Sequence, residues 1–582
     1  MQTVRSILES RISDAIRRVT GLSAPAMVQP ATEVRFGDYQ ANGVMAVARQ
    51  LRKDPRRLAA DVVANARLDD MCQQVEVAGP GFINMTISVG FLAERLLQIW
   101  SDPERLGIDP AQDRQTVVVD FSSPNVAKQM HVGHLRSTII GDCICRMLEF
   151  AGHKVIRQNH IGDWGTQFGM LIAFLQNRVD QLETGDLSDL ESFYRKAQEA
   201  FDTDSTFASQ ARSAVVRLQA GEPEAVALWR RIVEASRRHY QAVYDLLGVG
   251  LTEVDERGES FYNPMLPHIV QELKEKGIAA ESEGAVCVFL DGFMGKDGKP
   301  IPFIIQKSDG GYLYATTDLA ALRFRIDRLR AQRIIYVTDA RQKLHFQMLF
   351  ATARKAGWAG PEIVLEHVTF GSVLGEDGRP LKTRSGGNVK LMDLLTEAID
   401  KAMAVVEQKN PGLDPAKKAE IARTVGIGAV KYADLSTNRT SDYQFSFQKM
   451  LSLEGNTAPY MQYAYARIRS IARRAQDRGI DVQAGLADLD RVILAMPDEL
   501  RLARSLVRYG EALEGAMGDL MPNYLTSYLY ELAQCFSSFY NTCPVLDADV
   551  DLRPSRLLLC ELTARTIRHG LGLLGIGVVE QM

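Results

Sequence analysis

The pattern of apolar and polar positions divides this chain into three stretches. The opening residues, MQTVRSILESRISDAIRRV, are amphipathic and mixed in charge, which predicts a helix docked by its apolar face. Short strands follow, among them VEVAGPGFINMTIS, which alternates strand-forming residues around a Pro80-Gly81 turn. GFLAERLLQIW returns to helical spacing through Leu92, Leu96 and Ile99, and SDPERLGIDPAQDR reads as a linker. The second stretch begins with QTVVVDF (115–121), an apolar β-branched run suited to a central parallel strand buried on both faces. A loop, SSPNVAKQMHVGH, leads to a helix ending near Phe150-Ala151-Gly152, and KVIRQNHIGDWG supplies the next strand. That is a strand–helix–strand crossover, the unit of a doubly wound sheet. Residues from about 175 to 260 are helical and highly charged, an insertion packed beside the sheet. AVCVFL, PFIIQ, YLYATTDLAALRF, RIIYVTD and EIVLEHVTFGSVLG then read as a second β/α set. From about 395 to 582 the 3.6-residue period dominates, in DLLTEAIDKAMAVVEQ, AEIARTVGIGAVKYADL and APYMQYAYARIRSIARRAQ.

The bulk numbers narrow the function without naming it. A chain of 582 residues holds about three to five domains. The formal net charge of −4 excludes a whole-molecule field that would attract nucleic acid, so any RNA binding must use a local basic face. Seven scattered cysteines, none in CxxC spacing, argue against a disulfide framework and against structural zinc, and they fit a reducing compartment. There is no apolar run long enough to span a membrane and no apolar signal core, and Glu9 and Asp14 argue against a transit peptide.

Two segments carry candidate chemistry. In the first, Asp120-Phe121-Ser122-Ser123-Pro124-Asn125-Val126-Ala127-Lys128-Gln129-Met130-His131-Val132-Gly133-His134 runs from a buried strand end into a helix N-terminus. Ligands of such sheets bind beyond the strand ends, where free N–H groups attract phosphate. Gly133 allows close approach of a nucleotide, and the two histidines and Lys128 can meet phosphate oxygens. An HxxH pair alone is equally a plain turn or half a metal site, and without HExxH it is no zinc protease. The second segment, Gly371 to Gly387, is a glycine-rich loop bearing Lys382, Thr383, Arg384, Ser385 and Gly386. Read alone it is a basic hairpin; closed over a triphosphate, it would stabilise charge on the α-phosphate and the leaving group.

Taken whole, the first string resembles the HIGH signature of class I aminoacyl-tRNA synthetases in its HVGH form, in the FSSPN…K…HxGHLRST setting of the arginyl-tRNA synthetase family. The second resembles the KMSKS loop but lacks its second lysine; Lys128, three residues before HVGH, stands where such enzymes are thought to compensate. The resemblance spans essentially the whole chain. It implies catalytic roles for Lys128, His131, His134, Lys382 and Arg384. ATP would touch Pro124, Asn125, Ala127, His131, Gly133, His134, His345 and the loop residues Lys382, Thr383, Ser385 and Gly386. Gln158–Gln167, with its GDWG element, would lie beside the nucleotide. For arginine it implies Asp120, Asn125, His131, Tyr314, Asp318 and Gln342. A guanidinium is planar and permanently charged, so it calls for carboxylates that accept a fork. Read without the resemblance, Asp318 is a helix N-cap and Tyr314 a core residue.

The same resemblance implies tRNA contacts at Phe36, Tyr39, Gln40 and Asn42 in an extra N-terminal domain. Further contacts fall at Tyr460, Tyr463, Arg467, Tyr540 and Met582 in a helical anticodon-binding domain. Residues 456–582 carry 13 Arg, no Lys and 15 acids, so binding there needs a sorted face. The implied fold is α/β, a split Rossmann-type parallel sheet with an α+β N-terminal domain and an all-α C-terminal bundle. Expected boundaries are 1–105, 106–455 and 456–582. The implied activity joins L-arginine to ATP and then to tRNA(Arg), with Mg²⁺ on the phosphates, no structural zinc, a tRNA requirement and no editing domain. The protein is expected as a cytoplasmic monomer with no membrane partner. The rivals are a synthetase for another amino acid, a catalytically dead tRNA-binding relative and an HxGH nucleotidyltransferase.

Overall fold

The computed structural model describes residues 2–176, 187–382, 389–487 and 489–582. Its first unit opens with the helix Val4–Thr20, started by the Thr3 hydroxyl accepting from the Ser6 N–H. Val4, Leu8, Ile12, Ala15 and Ile16 bury one face of it. Four antiparallel strands follow: β1 (Val28–Pro30), β2 (Tyr39–Ala41), β3 (Cys72–Ala78) and β4 (Phe82–Ile87), in the order β1-β2-β4-β3.

The central sheet is parallel. It comprises β5 (Thr116–Asp120), β6 (Lys154–Gln158), β10 (Arg333–Asp339) and β11 (Val364–Phe370), in the order β11-β10-β5-β6. The Val117–Val119 run of β5 is fully buried between two neighbours, as its unbroken apolar sequence predicts. The crossover helix Val132–Phe150 ends where the sequence indicated.

The second β/α set differs from expectation. AVCVFL and PFIIQ do not widen the parallel sheet. They form β8 (Ala285–Val288) and β9 (Phe303–Gln306), which with β7 (Ala279–Ser282) make a separate antiparallel sheet. The cause lies between β7 and β8: only Glu283 and Gly284 join them, at φ 51° and 80°. A two-residue turn of that hand makes a hairpin, whereas a parallel pairing needs a long crossover. RIIYVTD and VLEHVTF do enter the main sheet as β10 and β11. The two-residue β12 (Val373–Leu374) pairs instead with β13 (Tyr443–Gln444).

Helices cover the rest. Thr166–Leu175, Leu187–Thr203, Ser205–Gln219 and Pro223–Leu247 form the insertion. Leu391–Lys409, Pro415–Leu435, Ala458–Asp477, Pro522–Thr542 and Arg553–Leu573 are the long helices of the C-terminal part. The first unit is docked on that part. Tyr39 donates its hydroxyl to Glu511 at 2.7 Å, Arg5 pairs with Glu514 at 2.9 Å, and Arg504 meets Asp38 at 2.9 Å.

Two buried cations tie the C-terminal helices to the HVGH helix and to the insertion. Arg136, in the turn after His134, pairs with Asp434 at 3.1 Å and donates to the Ser441 carbonyl at 2.9 Å; both charges are fully buried. Lys431 is equally buried and donates to the carbonyls of Leu247 (2.8 Å) and Gly575 (2.7 Å). Burial holds its ammonium down at about 8, against the attraction of Asp142. Removing one partner of a buried ion pair strands the other charge. Arg136→Met should therefore cost about 3–5 kcal/mol. Arg136→Met combined with Asp434→Leu should recover most of that loss. Urea denaturation of the two variants decides it: equal midpoints would mean that the pair is not what Arg136 contributes.

Candidate active site

The HVGH loop is built on strained backbone. Ser122, Ser123 and Ala127 all have positive φ (73°, 49° and 66°), a conformation that costs an L-residue about 1–2 kcal/mol. Side chains from other elements hold it. Ser137 accepts from the Ser122 N–H (2.9 Å), Asn159 from the Ser123 N–H (3.0 Å) and Ser236 from the Ala127 N–H (2.9 Å). Tyr244 meets the Ser122 hydroxyl at 2.7 Å. Ser236 and Tyr244 come from the insertion helix Pro223–Leu247, so the insertion is a buttress of the loop. The GDWG segment closes the other side: Gly162 donates to the Pro124 carbonyl and accepts from the Val126 N–H, both at 3.1 Å. A Cβ at Gly162 would lie 2.4 Å from the Asn125 side-chain oxygen, so a larger residue there would push that side chain aside.

The geometry fixes the protonation of both signature histidines. Nδ1 of His131 accepts from the Gly133 N–H at 3.0 Å, and Nδ1 of His134 accepts from the His131 N–H at 3.2 Å. An Nδ1 that accepts leaves the proton on Nε2. Burial lowers the pKa of both rings, with Lys128 adding to the effect at His131, and His134 falls to about 4. Both are thus neutral Nε2–H donors. A Cβ on Gly133 would meet the His131 ring at 2.7 Å. Lys128 is exposed, its ammonium 5.2 Å from the Tyr194 ring centre.

Of the residues expected to face arginine, Asp120 needs correction. Its carboxylate is buried and paired at 2.7 Å with Arg325, which is itself fully buried and also donates to Gln158 at 3.1 Å. Burial disfavours that cation, but Asp120 together with Tyr336 and Tyr262 more than offsets it. Asp120 already holds a guanidinium and is not free for another. Asp318 is placed differently: it lies in the second turn of the helix Tyr314–Asp327, whose N-cap is Leu313, so it caps nothing. Its two oxygens face His345 Nε2 at 2.6 Å and His160 Nε2 at 3.8 Å. His345, expected beside ATP, is engaged here. Tyr314 is 74% exposed, so it is not core, and Gln342 and Asn125 are also exposed.

Sequence reasoning missed Glu259. Its segment is folded against GDWG: Ser260 donates its N–H (2.8 Å) and hydroxyl (2.6 Å) to Asp163, and Gly258 lies flat on the same carboxylate. Burial pushes the Glu259 carboxyl up to about 7, with Asp163 and Asp318 adding to the effect. The only trace in the sequence was an unremarked RGES tetrapeptide between insertion and sheet. The second motif is partly visible. Lys382 is exposed, while Thr383, Arg384, Ser385 and Gly386 lie outside the described residues. Backbone bonds from Leu391 N–H to Met130 O (2.9 Å) and from Val132 N–H to Val389 O (3.0 Å) tie the far end of this loop to HVGH. Among the described residues no group of three His, Cys, Asp or Glu side chains is placed to hold a metal ion.

Residues 97–447 match the family model described as tRNA synthetases class I (R), catalytic domain. Residues 461–582 match the DALR anticodon binding domain, and 6–87 the arginyl tRNA synthetase N terminal domain. An arginine–tRNA ligase of Synechococcus elongatus is 53% identical over 566 residues, covering 96% of this chain and 95% of that protein. One from Hahella chejuensis is 50% identical, with both chains fully covered. The chain belongs to the arginyl-tRNA synthetase family. Two solved structures in this family, from Plasmodium falciparum and Thermus thermophilus, superpose with TM-scores of 0.85 and 0.81 at 29% and 26% identity, each covering both chains fully.

The positions that the arginyl-tRNA synthetase family implies for RNA divide into two groups. Tyr463, Arg467, Tyr540 and Arg474 converge. Arg467 lies 4.8 Å from the Tyr463 ring centre and 5.2 Å from that of Tyr540, whose hydroxyl accepts from Arg474 at 3.2 Å. The result is an alternating ladder of rings and guanidinium groups across two helices. Tyr460 instead packs on Tyr530, 5.6 Å between centres, and Met582 packs against the cluster around Val579 and Val425. In the first unit Tyr39 is corrected. It is 2% exposed and spent on Glu511, so it cannot stack on a base. Phe36 is half-buried beneath Arg35, Gln40 donates to Asn84 at 2.8 Å, and the Asn42 side-chain oxygen is buried with no hydrogen-bond partner among the described residues.

His345→Asn separates the two roles for that ring. With Asp318 no longer oriented, KM for arginine should rise about tenfold and KM for ATP should stay within twofold, read by steady-state pyrophosphate exchange. A rise confined to ATP would return His345 to the nucleotide.

Proposed function

We propose that this chain is an arginine–tRNA ligase. Arginine is first activated by ATP and then transferred to the 3′ end of tRNA(Arg). In the first step a carboxylate oxygen of arginine bonds to the α-phosphorus of ATP. The bond from that phosphorus to the bridging oxygen breaks, and pyrophosphate leaves. In the second, a terminal ribose hydroxyl attacks the adenylate carbonyl, and AMP departs. Neither step needs a covalent enzyme intermediate, so catalysis is positioning and charge stabilisation. The neutral Nε2–H groups of His131 and His134 donate to phosphate oxygens. Lys128, Lys382 and Arg384 add positive charge, Thr383, Ser385 and Gly386 would contribute further ATP contacts, and Pro124, Ala127 and Gly133 let the nucleotide lie close. Mg²⁺ would ride on the phosphates, where the nearby protein donors are cationic or N–H groups suited to anions.

The observation that supports arginine is the placement of two carboxylates near this loop: Asp318, held by His345, and Glu259, whose N–H donates to Ile161 at 3.1 Å and whose pKa Asp318 helps to raise. Two carboxylates suit a forked cation, with Tyr314 and Gln342 fixing its stem and Asn125 its backbone end. A pocket of this kind discriminates by binding alone, because a substrate lacking the fork leaves buried charge unpaired. For the RNA, we read Tyr463, Arg467 and Tyr540 as a platform for unpaired bases, with Tyr460 and Met582 at its margins. Phe36, Gln40 and Asn42 form the outer contact. The chain would work as three parts, 1–105, 106–455 and 456–582, in a cytoplasmic monomer.

ATP–pyrophosphate exchange with each of the twenty amino acids, with and without tRNA, tests the reading. Exchange should occur with arginine alone and only with tRNA present; exchange with another amino acid would overturn the pocket assignment. A pH profile tests Glu259. A carboxyl poised near 7 binds a guanidinium only when ionised, so KM for arginine should climb as pH falls through 7, approaching about tenfold per pH unit. Glu259→Gln should show a raised KM without that limb; a wild-type profile flat from pH 8 to 6 would count against the assignment.

A further inference from the structure

We propose that Arg439 is a positioning residue for the activation step: it fixes the base of the glycine-rich loop, and through it Lys382, against the end of the parallel sheet. This rests on the ligase reading above. The base of the loop, residues 371–381, leaves the parallel sheet as soon as β11 ends. Its main chain is held instead by one segment, residues 439–445. Gly371 donates its N–H to the Arg439 carbonyl at 2.9 Å, and Ser372 donates its N–H to the Asp442 carboxylate at 2.5 Å. Tyr443 and Phe445 donate back to the Ser372 and Leu374 carbonyls at 3.2 and 2.8 Å, along the pairing of β12 with β13. The Gln444 amide donates to the Glu376 carbonyl at 2.9 Å. A Cβ on Gly371 would meet the Ser441 main chain at 2.7 Å, so the two segments touch backbone to backbone. Leu381, the residue before Lys382, closes the hairpin by donating to the Val373 carbonyl at 3.1 Å. The place of Lys382 is thus set by the place of residues 439–445.

Arg439 is what fixes that segment to the sheet. Its guanidinium donates to the main-chain carbonyls of Thr369 at 2.8 Å, Leu520 at 3.0 Å and Asp519 at 3.5 Å. Thr369 lies on β11, in register with Thr338 of β10, near the end of the strand. Asp519 and Leu520 lie between the helices Tyr509–Gly518 and Pro522–Thr542, and Leu520 has a φ of 52°. One side chain therefore ties the sheet end and the C-terminal bundle, while its own carbonyl holds the loop base. The fork is spent on main chain, so it reads the position of backbone and not of a mobile side chain. A planar fork fixes direction as well as distance, which a lysine ammonium does not. Arg136 holds the same segment from the other side, donating to the Ser441 carbonyl at 2.9 Å, but it anchors the segment to the HVGH helix. Without Arg439 the segment stays attached at Ser441 and loses its tie to β11. Lys382 then stands on a base that can pivot, and a charge that must meet developing charge on phosphate gains most from being held in place.

The test uses the full chain carrying Arg439→Ala, assayed by arginine-dependent ATP–pyrophosphate exchange with tRNA present and rates expressed per titrated active site. kcat should fall about tenfold or more, with KM for arginine within about twofold of wild type, the mark of an interaction made in the transition state. Arg439→Lys, which keeps the charge and loses the fork, carries the same comparison should the alanine chain not fold, with a fall of about threefold or more. A cycle with Lys382→Ala separates positioning from a general structural role. Because Arg439 acts through Lys382, adding Arg439→Ala to Lys382→Ala should lower kcat by about twofold at most. A full additional fall on that background overturns the proposal, and so does a wild-type kcat per active site in Arg439→Ala. Amide hydrogen exchange reads the joint without the reaction. The N–H groups of Gly371 and Phe445 should exchange about tenfold faster in Arg439→Ala, with those of β5 unchanged. If the wild type shows no arginine-dependent exchange of pyrophosphate and these amides still speed up, the ligase reading fails and the joint stands. Unchanged amides remove the joint alone.

Discussion

One buried charge sets the terms of the active site. Arg325 lies under the end of β5 with no exposure to water, and such a cation persists only because Asp120 neutralises it from the strand end. Gln158 at the end of β6 takes a second donor, and Tyr336 of β10 lies 5.0 Å beneath the guanidinium. Three parallel strands and the helix Tyr314–Asp327 are thereby fixed at the edge where the fold presents ligands. Because Asp120 is consumed in this way, the proposed recognition of a substrate guanidinium would fall to Asp318 on that helix and to Glu259 at the start of the short helix Glu259–Tyr262. The proposed pocket would then be one guanidinium site built on top of another.

The HVGH loop has the opposite character. It is strained at three non-glycine residues and derives its rigidity from outside itself, from Ser137, Asn159, Ser236 and Tyr244. Preorganised donors stabilise developing charge without having to reorganise, so rigidity here serves the chemistry. Two neutral imidazoles suit that role. Their protons are fixed on Nε2 by backbone N–H groups that a charged ring could not accept from, so their orientation does not change with pH across the physiological range.

Much of this was legible in the sequence where local pattern decides structure. β5, the crossover helix and its end, β6 and the C-terminal helices follow from apolar runs and the 3.6-residue period. What was not legible depends on distant partners or on turn geometry. Nothing around Asp120 announces Arg325, 205 residues away, and Tyr39 reads as a surface aromatic until Glu511 arrives from the far end of the chain. The apolar runs of β8 and β9 look like those of β10 and β11; the two-residue link before β8 decided the difference. Glu259 carries no motif of its own, and its character comes from being folded against Asp163 and Asp318.

Lys431 has a consequence for how the molecule is made. Its second acceptor, the Gly575 carbonyl, lies seven positions before Met582, on a glycine whose Cα hydrogens face the ammonium, Asp142 and Arg146. During synthesis from the N-terminus, the HVGH helix and the insertion leave the ribosome long before that carbonyl exists. Until it does, the Lys431 ammonium has only one of its two carbonyl partners, the one on Leu247. The Gly575 carbonyl thus acts as a keystone: a chain lacking it would leave that ammonium half-satisfied in the core between the insertion and the C-terminal helices.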